Sequence, residues 1–230
     1  MARRALVVGA SGGIGRAIAT RLAGEGWTIL AQGRKADALS ATLDAVRQAG
    51  GDGQSFGAEL TDMSQAAALA EWAGAVPLDA VIFSAGGGRS VDSGPEAIPE
   101  WDRTLATPLH APMRLTALTL RAVRAAAGAY LYICGIYAKL GMARMAAHCA
   151  GRHGIEGFAK ALFEEVREDG VRVTLLHPGF VHTVLTNTER LDPARMIQTQ
   201  DIAQMAATAV TLPNNACVTE LIVRPQRSPY

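Results

Sequence analysis

Cysteine is scarce: Cys134, Cys149 and Cys217 are the three in 230 residues, odd in number and without C-x-x-C spacing. That excludes a disulfide framework and a thiolate metal site, and the expected setting is reducing and cytoplasmic. Aromatic residues make up 5% of the chain, so interior volume must come from closely packed small aliphatic elements. Charge of one sign is missing too: 22 basic residues stand against 21 acidic ones, a formal net charge of +1. No generally basic surface is left to wrap nucleic acid. Long apolar runs are absent, since Ala5-Leu-Val-Val-Gly9 and Val81-Ile-Phe83 fall far short of the ~20 residues of a membrane helix. A soluble protein without a membrane partner is expected. The basic start, Met1-Ala-Arg-Arg, meets glycine-rich sequence before any signal-like apolar region can develop, and reads as the approach to a first strand.

What is present is small and apolar: 49% of the residues are hydrophobic, and 24 are glycine. A chain of this length makes one well-buried domain, residues 1–230. Strand Ala5-Leu-Val-Val-Gly9 is followed by helical spacing over 13–23, strand Trp27-Thr-Ile-Leu-Ala31, a helix over 37–49, a strand near 54–58, a helix over 62–73 and a strand over 79–84. The second half repeats this, with a helical stretch over 100–127 that Pro108 and Pro112 should kink, strand Ala129-Tyr-Leu-Tyr-Ile-Cys134, a long helix over 143–168 and strand Val171-Arg-Val-Thr-Leu-Leu176. A helix over 201–212 and a strand over 218–223 close the chain. Strands apolar on both faces, alternating with helices, predict an α/β fold: a single Rossmann-like, doubly wound parallel sheet of about seven strands with helices on both faces. Residues 180–200 are polar and irregular, as a mobile substrate lid would be.

Directly after the first strand comes Gly9-Ala-Ser-Gly-Gly-Ile-Gly15. Glycines there permit a tight turn and close approach of a phosphate, and the free N–H groups and dipole of the following helix suit a pyrophosphate. A lone glycine pattern is weak, but its place between a strand and a helix is the context a nucleotide site requires.

The spacing Gly-x-x-x-Gly-x-Gly, with Phe83-Ser-Ala-Gly86 after the fourth strand and Pro178-Gly179 after the sixth, resembles the short-chain dehydrogenase/reductase family over essentially the whole chain. The resemblance implies a nicotinamide nucleotide held by Gly9, Ser11, Gly12, Gly13, Ile14 and Gly15, by Ser84, Ala85 and Gly86, and by Pro178, Gly179, Val181 and Thr183, with Thr183 meeting the carboxamide. It also implies Glu59 in the place of the Asp that contacts adenine, with Leu60 beside it. The second strand ends in Gln32-Gly33-Arg34-Lys35, without the carboxylate that holds the ribose hydroxyls of NAD. Arg34 and Lys35 can pair with a 2′-phosphate instead, so NADP(H) is preferred over NAD(H), the alternative being that both are solvated residues at a helix start.

The catalytic positions are all changed. Where the family carries Ser, Tyr, Lys and Asn, this chain carries Gly135, His148, Arg152 and Pro108. His148 and Arg152 share one helix face at i,i+4 spacing; the imidazole can titrate near neutrality, while the guanidinium keeps its charge and can anchor a ribose. The cation one turn away disfavours imidazolium. The competing reading is that His148 is a packed helix residue left after the chemistry was lost. Tyr137 is a rival acid or a wall of the pocket, and His110, His153, His177 and His182 carry no assigned chemistry.

Within the expected lid, Leu185, Leu191 and Met196 suggest a partly apolar small organic substrate. The expected activity is an atypical NADP(H)-dependent oxidoreductase acting on a carbonyl or alcohol. A non-redox cyclase, isomerase or dehydratase, or a silent partner of an active relative, are the alternatives. The resemblance also implies a homodimer or homotetramer built on the two long helices.

Overall fold

A computed structural model of the protein describes every residue except Met1, Leu185, Asn187, Thr188 and Asn214. The strands are β1 (Arg4–Val8), β2 (Thr28–Gly33), β3 (Asp52–Gly57), β4 (Ala80–Phe83), β5 (Ala129–Ile133), β6 (Arg172–Pro178) and β7 (Glu220–Val223). The helices are α1 (Gly13–Gly24), α2 (Ala36–Gln48), α3 (Met63–Gly74), α4 (Ile98–Leu105), α5 (Ala111–Ala125), α6 (Ala146–Val166) and α7 (Thr199–Thr211).

All seven strands pair in parallel, in the order β3-β2-β1-β4-β5-β6-β7. Period-2 alternation splits their side chains between two cores. Ala5 and Val7 of β1 face a cluster with Ile18 and Leu22 of α1 and Ile202 and Ala206 of α7, whereas Leu6 and Val8 face Leu69 of α3, Leu115 of α5 and Leu162 of α6. This second core holds the ring stack of Phe83 on Tyr132, with centroids 4.9 Å apart and planes 5° from parallel. The buried Tyr130 and Tyr132 hydroxyls are satisfied by Thr119 and Thr116, so both phenols sit in the interior without an orphaned polar atom.

The prolines of the 100–127 stretch change its hydrogen bonding. A single wider π turn, Ala106–His110, joins α4 to α5, absorbing Pro108, which has no N–H to donate, and Pro112 falls in the first turn of α5. Other boundaries shift modestly. β7 starts at Glu220 rather than 218, and α7 starts at Thr199, where Gln198 and Asp201 form a capping box. Within the expected lid, Val181 bridges to Ile197 and a short 3-10 turn occupies Pro193–Arg195; Leu185 lies outside the described residues.

From β1 the chain runs outward through β2 to β3 and then crosses back to β4 on the other side of β1, and a crevice opens outside the carboxyl ends of the strands at that reversal.

Candidate active site

The loop from β1 to α1 lines this crevice. Gly9 has φ +81, and a methyl built on it would lie 2.7 Å from the Ala85 nitrogen. A methyl on Gly15 would lie 2.3 Å from the Gly9 oxygen and 2.6 Å from Ser84 Oγ. Only glycine fits at either position: Ala85 of the loop after β4 fills the space beside Gly9, and the Gly9 backbone with Ser84 fills that beside Gly15. Ser84 Oγ donates to the Val8 oxygen at 2.7 Å, which ties the end of β4 to the end of β1 directly beneath the turn.

Gly12 precedes α1 without any side-chain cap, so the first N–H groups of the helix are not consumed by a side-chain acceptor. Gly12 and Gly13 are exposed, whereas Ser11 and Ile14 are half-buried. Thr183 reaches this loop from beyond β6: a methyl on Gly13 would lie 3.4 Å from its Cγ2. Val181 is buried through its pairing with Ile197, and the Gly179 nitrogen donates to the Val223 oxygen at 2.7 Å. An uncapped helix end behind a cradle that any Cβ would fill fits a pyrophosphate.

At the far end of the crevice, Arg34 and Lys35 are exposed after β2. Arg34 Nη1 lies 3.3 Å from Glu59 Oε2. Burial alone would raise the Glu59 pKa, but hydrogen bonds from Thr61 and the Arg34 charge outweigh it and hold the carboxyl below its usual range. A Cβ on Gly33 would meet Ser11 Oγ at 2.8 Å and Leu39 Cδ2 at 3.1 Å, so a carboxylate side chain there would have to displace both. Leu60 is buried in the second core, with its edge on a narrow crevice shared with Glu59, Phe83 and Ala85.

The wall that carries the positions expected to be catalytic is built from the ends of β4 and β5 and from α6. Arg152 is 8% exposed; its Nη1 donates to the Ile133 oxygen at 2.8 Å and its Nη2 to the Gly86 oxygen at 3.1 Å. The guanidinium therefore clamps the ends of β5 and β4, and its Nε has no partner. Its pKa is lowered by burial. His148, one turn earlier and 7% exposed, packs its ring against the loop after β4, where a methyl on Gly88 would come within 2.5 Å of Nδ1. Burial and then the Arg152 charge push the His148 pKa down to about 4, so the ring is neutral at physiological pH. Of its two ring nitrogens only Nδ1 is sealed from solvent without a partner. Tyr137 meets the imidazole edge to face at 5.4 Å, and burial raises the pKa of its phenol. The structure thus brings His148, Arg152 and Tyr137 to one wall.

Behind that wall lies a charge network that the spacing of the sequence did not single out. Glu156, one further turn along α6, accepts from Lys139 Nζ at 2.5 Å and from Lys160 Nζ, while Lys139 also reaches Glu220 Oε1 at 2.5 Å. Burial would raise the Glu156 pKa, but the two lysines outweigh it and lower it. His177 is kept neutral by burial and lies 3.3 Å from the Gly135 oxygen and 3.5 Å from Glu220. The i,i+4 pair of Glu156 and Lys160 was readable; the convergence of 139, 156, 177 and 220 required the sheet order. Cys134 is inert, with burial pushing its thiol up to about 12.

The sequence profile described as short chain dehydrogenase matches residues 3–194. The chain belongs to the short-chain dehydrogenase family. Among its relatives, D-threitol dehydrogenase of Mycolicibacterium smegmatis is 34% identical over 187 residues, covering 79% of this chain and 71% of that protein. Among solved structures, a metagenomic short-chain oxidoreductase in complex with NADP has a TM-score of 0.83 at 28% identity, covering 98% of both chains. A point variant of actinorhodin polyketide ketoreductase with NADPH has a TM-score of 0.90 at 26% identity, covering 100% of this chain and 98% of that one. As a short-chain dehydrogenase the chain is an oxidoreductase, and the family implies a nicotinamide cofactor. No helix among the described residues is long and apolar enough to cross a membrane, and none of their His, Cys, Asp and Glu side chains cluster as a metal site.

Proposed function

We propose that this short-chain dehydrogenase interconverts a small organic carbonyl compound and its alcohol with NADP(H) rather than NAD(H), using His148 as a neutral hydrogen-bond donor. The observation that carries the reading is the pairing of two features in one crevice: the glycine cradle at the uncapped start of α1, and the ring of His148 with its Nδ1 sealed against Gly88. When bound, the nicotinamide supplies or takes up the hydride.

The residues of the chain divide the remaining work. The Gly9 to Gly15 loop, with Ser84, Ala85 and Gly86, receives the dinucleotide, and Arg34 and Lys35 favour a 2′-phosphate at the end of β2, where the strand itself carries no carboxylate and Glu59 is the one acidic partner of Arg34. Pro178, Gly179, Val181 and Thr183 form the opposite side, and residues 180–200 act as the substrate lid. An N–H on the enclosed Nδ1 would lack an acceptor, so the ring carries its proton on Nε2 and polarises a carbonyl oxygen with it. The proton that completes the alcohol comes from water. Arg152 is a positioning residue: it fixes the ends of β4 and β5 on which the ring of His148 rests. Tyr137 holds the imidazole edge and walls the substrate space.

The test is a fluorescence titration with NADPH and with NADH, followed by transfer of deuteride from labelled NADPH to a panel of carbonyl compounds. Tighter binding of NADPH and a deuterated alcohol, lost in His148→Phe while binding stays, are expected. No binding of either nucleotide, or no deuteride in any product, would overturn the reading. Three free thiols suit a cytoplasmic setting, and exposed Met113 and Leu118 on α5 suit a homodimer or homotetramer, which light scattering would detect.

A further inference from the structure

Beside Tyr137 lies a cavity of about 500 Å³. One wall is apolar, formed by Ile136, Leu140, Met142 and Phe180, and the other is the segment after β7, which carries Arg224 and Arg227. That segment is held in place: the Asp192 nitrogen donates to the Pro229 oxygen at 2.7 Å, Tyr230 meets Phe180 edge to face at 5.5 Å, and Pro225 Cδ stands 3.0 Å from where a methyl on Gly179 would be.

Three other arginines near the crevice are paired: Arg34 with Glu59 at 3.3 Å, Arg144 with Asp92 at 2.9 Å, and Arg195 with Asp192 at 3.2 Å. Arg224 and Arg227 have no ion pair or side-chain hydrogen bond among the described residues, and no carboxylate side chain lines the cavity with them. Leu140 and Met142 leave 50% and 45% of their surface in water at its edge. Two exposed, unpaired arginines lining a cavity opposite an uncovered apolar wall describe a ligand with an apolar body and an oxyanion at one end.

We infer that the substrate is an anionic carbonyl compound, its apolar body lying on Leu140, Met142 and Phe180 and its carboxylate or phosphate held by Arg224 and Arg227. This inference rests on the carbonyl reading above. The carbonyl end points toward Tyr137, which lines the cavity and whose ring meets that of His148 at 5.4 Å.

Three probes sharing one aryl ketone body separate the charges: 4-oxo-4-phenylbutanoate, its methyl ester and the matching phosphonate. With NADPH, the acid or the phosphonate should be reduced with a kcat/KM about tenfold or more above the ester, as a charge-assisted pair to a guanidinium allows. Whichever anion is favoured tells carboxylate from phosphate. The preference should fall with added salt and collapse toward unity in the double variant Arg224→Gln, Arg227→Gln, while Arg47→Gln on α2 retains it. Equal rates for acid, phosphonate and ester, or a preference that survives the double variant, would overturn the inference. If no ketone is reduced, the carbonyl reading fails, and calorimetric binding of the acid and the phosphonate then decides this inference alone. Binding by the native chain that the double variant loses supports it; no binding, or equal binding by both, overturns it.

Discussion

The two ends of the crevice are built from different materials. Around Gly9 to Gly15 the site is mostly backbone: a positive φ, close approaches and helix N–H groups, with Ser84 and Thr183 as the side chains that touch it. Around His148 and Arg152 it is side chain, and a cation is buried with two backbone carbonyls and no carboxylate as hydrogen-bonding partners. A backbone site tolerates almost no substitution, because the space it needs is already filled by the main chain. A side-chain site can be rebuilt when its neighbours shrink, and the glycines at 86 and 88 are the shrinkage that lets Arg152 and His148 lie where they do.

That contrast is sharpest for glycine replacements. In Gly15→Ala the new methyl would meet the Gly9 oxygen at 2.3 Å, and main chain must move. We expect a loss of about 2–4 kcal/mol in urea melts and no NADPH binding by the folded fraction. In Gly88→Ala the methyl meets the His148 ring at 2.5 Å and its Cβ at 2.7 Å, so the ring must turn and the exposed loop that carries residue 88 must give way. Stability should fall by only about 1 kcal/mol, with NADPH binding kept and turnover lost. Native affinity in folded Gly15→Ala would remove the cradle as the nucleotide site.

The same contrast decides how much the sequence could tell. The glycine loop was legible because φ +81 at Gly9 and the 2.3 Å approach at Gly15 demand glycine wherever this turn is used. The sheet followed from strands apolar on both faces, though the wider turn at Ala106–His110 did not, since Pro108 and Pro112 signal only that ordinary helical bonding fails. The i,i+4 spacing put His148 and Arg152 on one face but could not show that the guanidinium turns to the Ile133 and Gly86 oxygens. Those acceptors come from β5 and from the turn after β4. Arg224 and Arg227 lie farther still along the chain from Tyr137, and only the order β5-β6-β7 brings them to one cavity.

The buried imidazole gives its wall of the crevice a pH signature that the glycine cradle cannot have. Between the ordinary histidine value near 6.5 and about 4, the unfolded chain binds a proton at His148 and the native state does not, so stability falls as pH falls through that window. His177, also lowered, adds in the same direction. The His148 contribution is on the order of 2 kcal/mol, less than the full shift because solvent beyond this wall of the crevice screens part of it. His148→Asn should flatten the acid side of the stability profile by about that amount. In the folded protein kcat/KM should stay level from about pH 5.5 to 8, whereas an imidazolium acid would lose about tenfold per pH unit above 4.

Arg152→Met tests the clamp itself. It leaves the Ile133 and Gly86 oxygens without their donors, and stability should drop by about 1–3 kcal/mol, moderated by the release of a buried charge. The His148 pKa, followed by ring-nitrogen NMR, should rise only part-way from about 4, because burial is the larger cause and the cation the smaller. A full return to the ordinary value would reverse that order.

The smallest stability effect belongs to the exposed pair of Arg34 and Glu59, where a 3.3 Å contact in solvent contributes no more than about 0.5 kcal/mol. Its effect on binding should be larger, because Glu59 competes for the guanidinium that a 2′-phosphate would use. Glu59→Gln should tighten NADPH a few-fold without changing NADH, and Arg34→Glu should weaken NADPH by about tenfold or more with NADH nearly unmoved, since a guanidinium–phosphate contact is charge-assisted on both sides. Equal losses for both nucleotides in Arg34→Glu would mean that the end of β2 senses the adenosine as a whole rather than its phosphate. In that case Gly33, whose missing side chain leaves Ser11 and Leu39 undisturbed, would be a packing feature rather than a mark of cofactor choice.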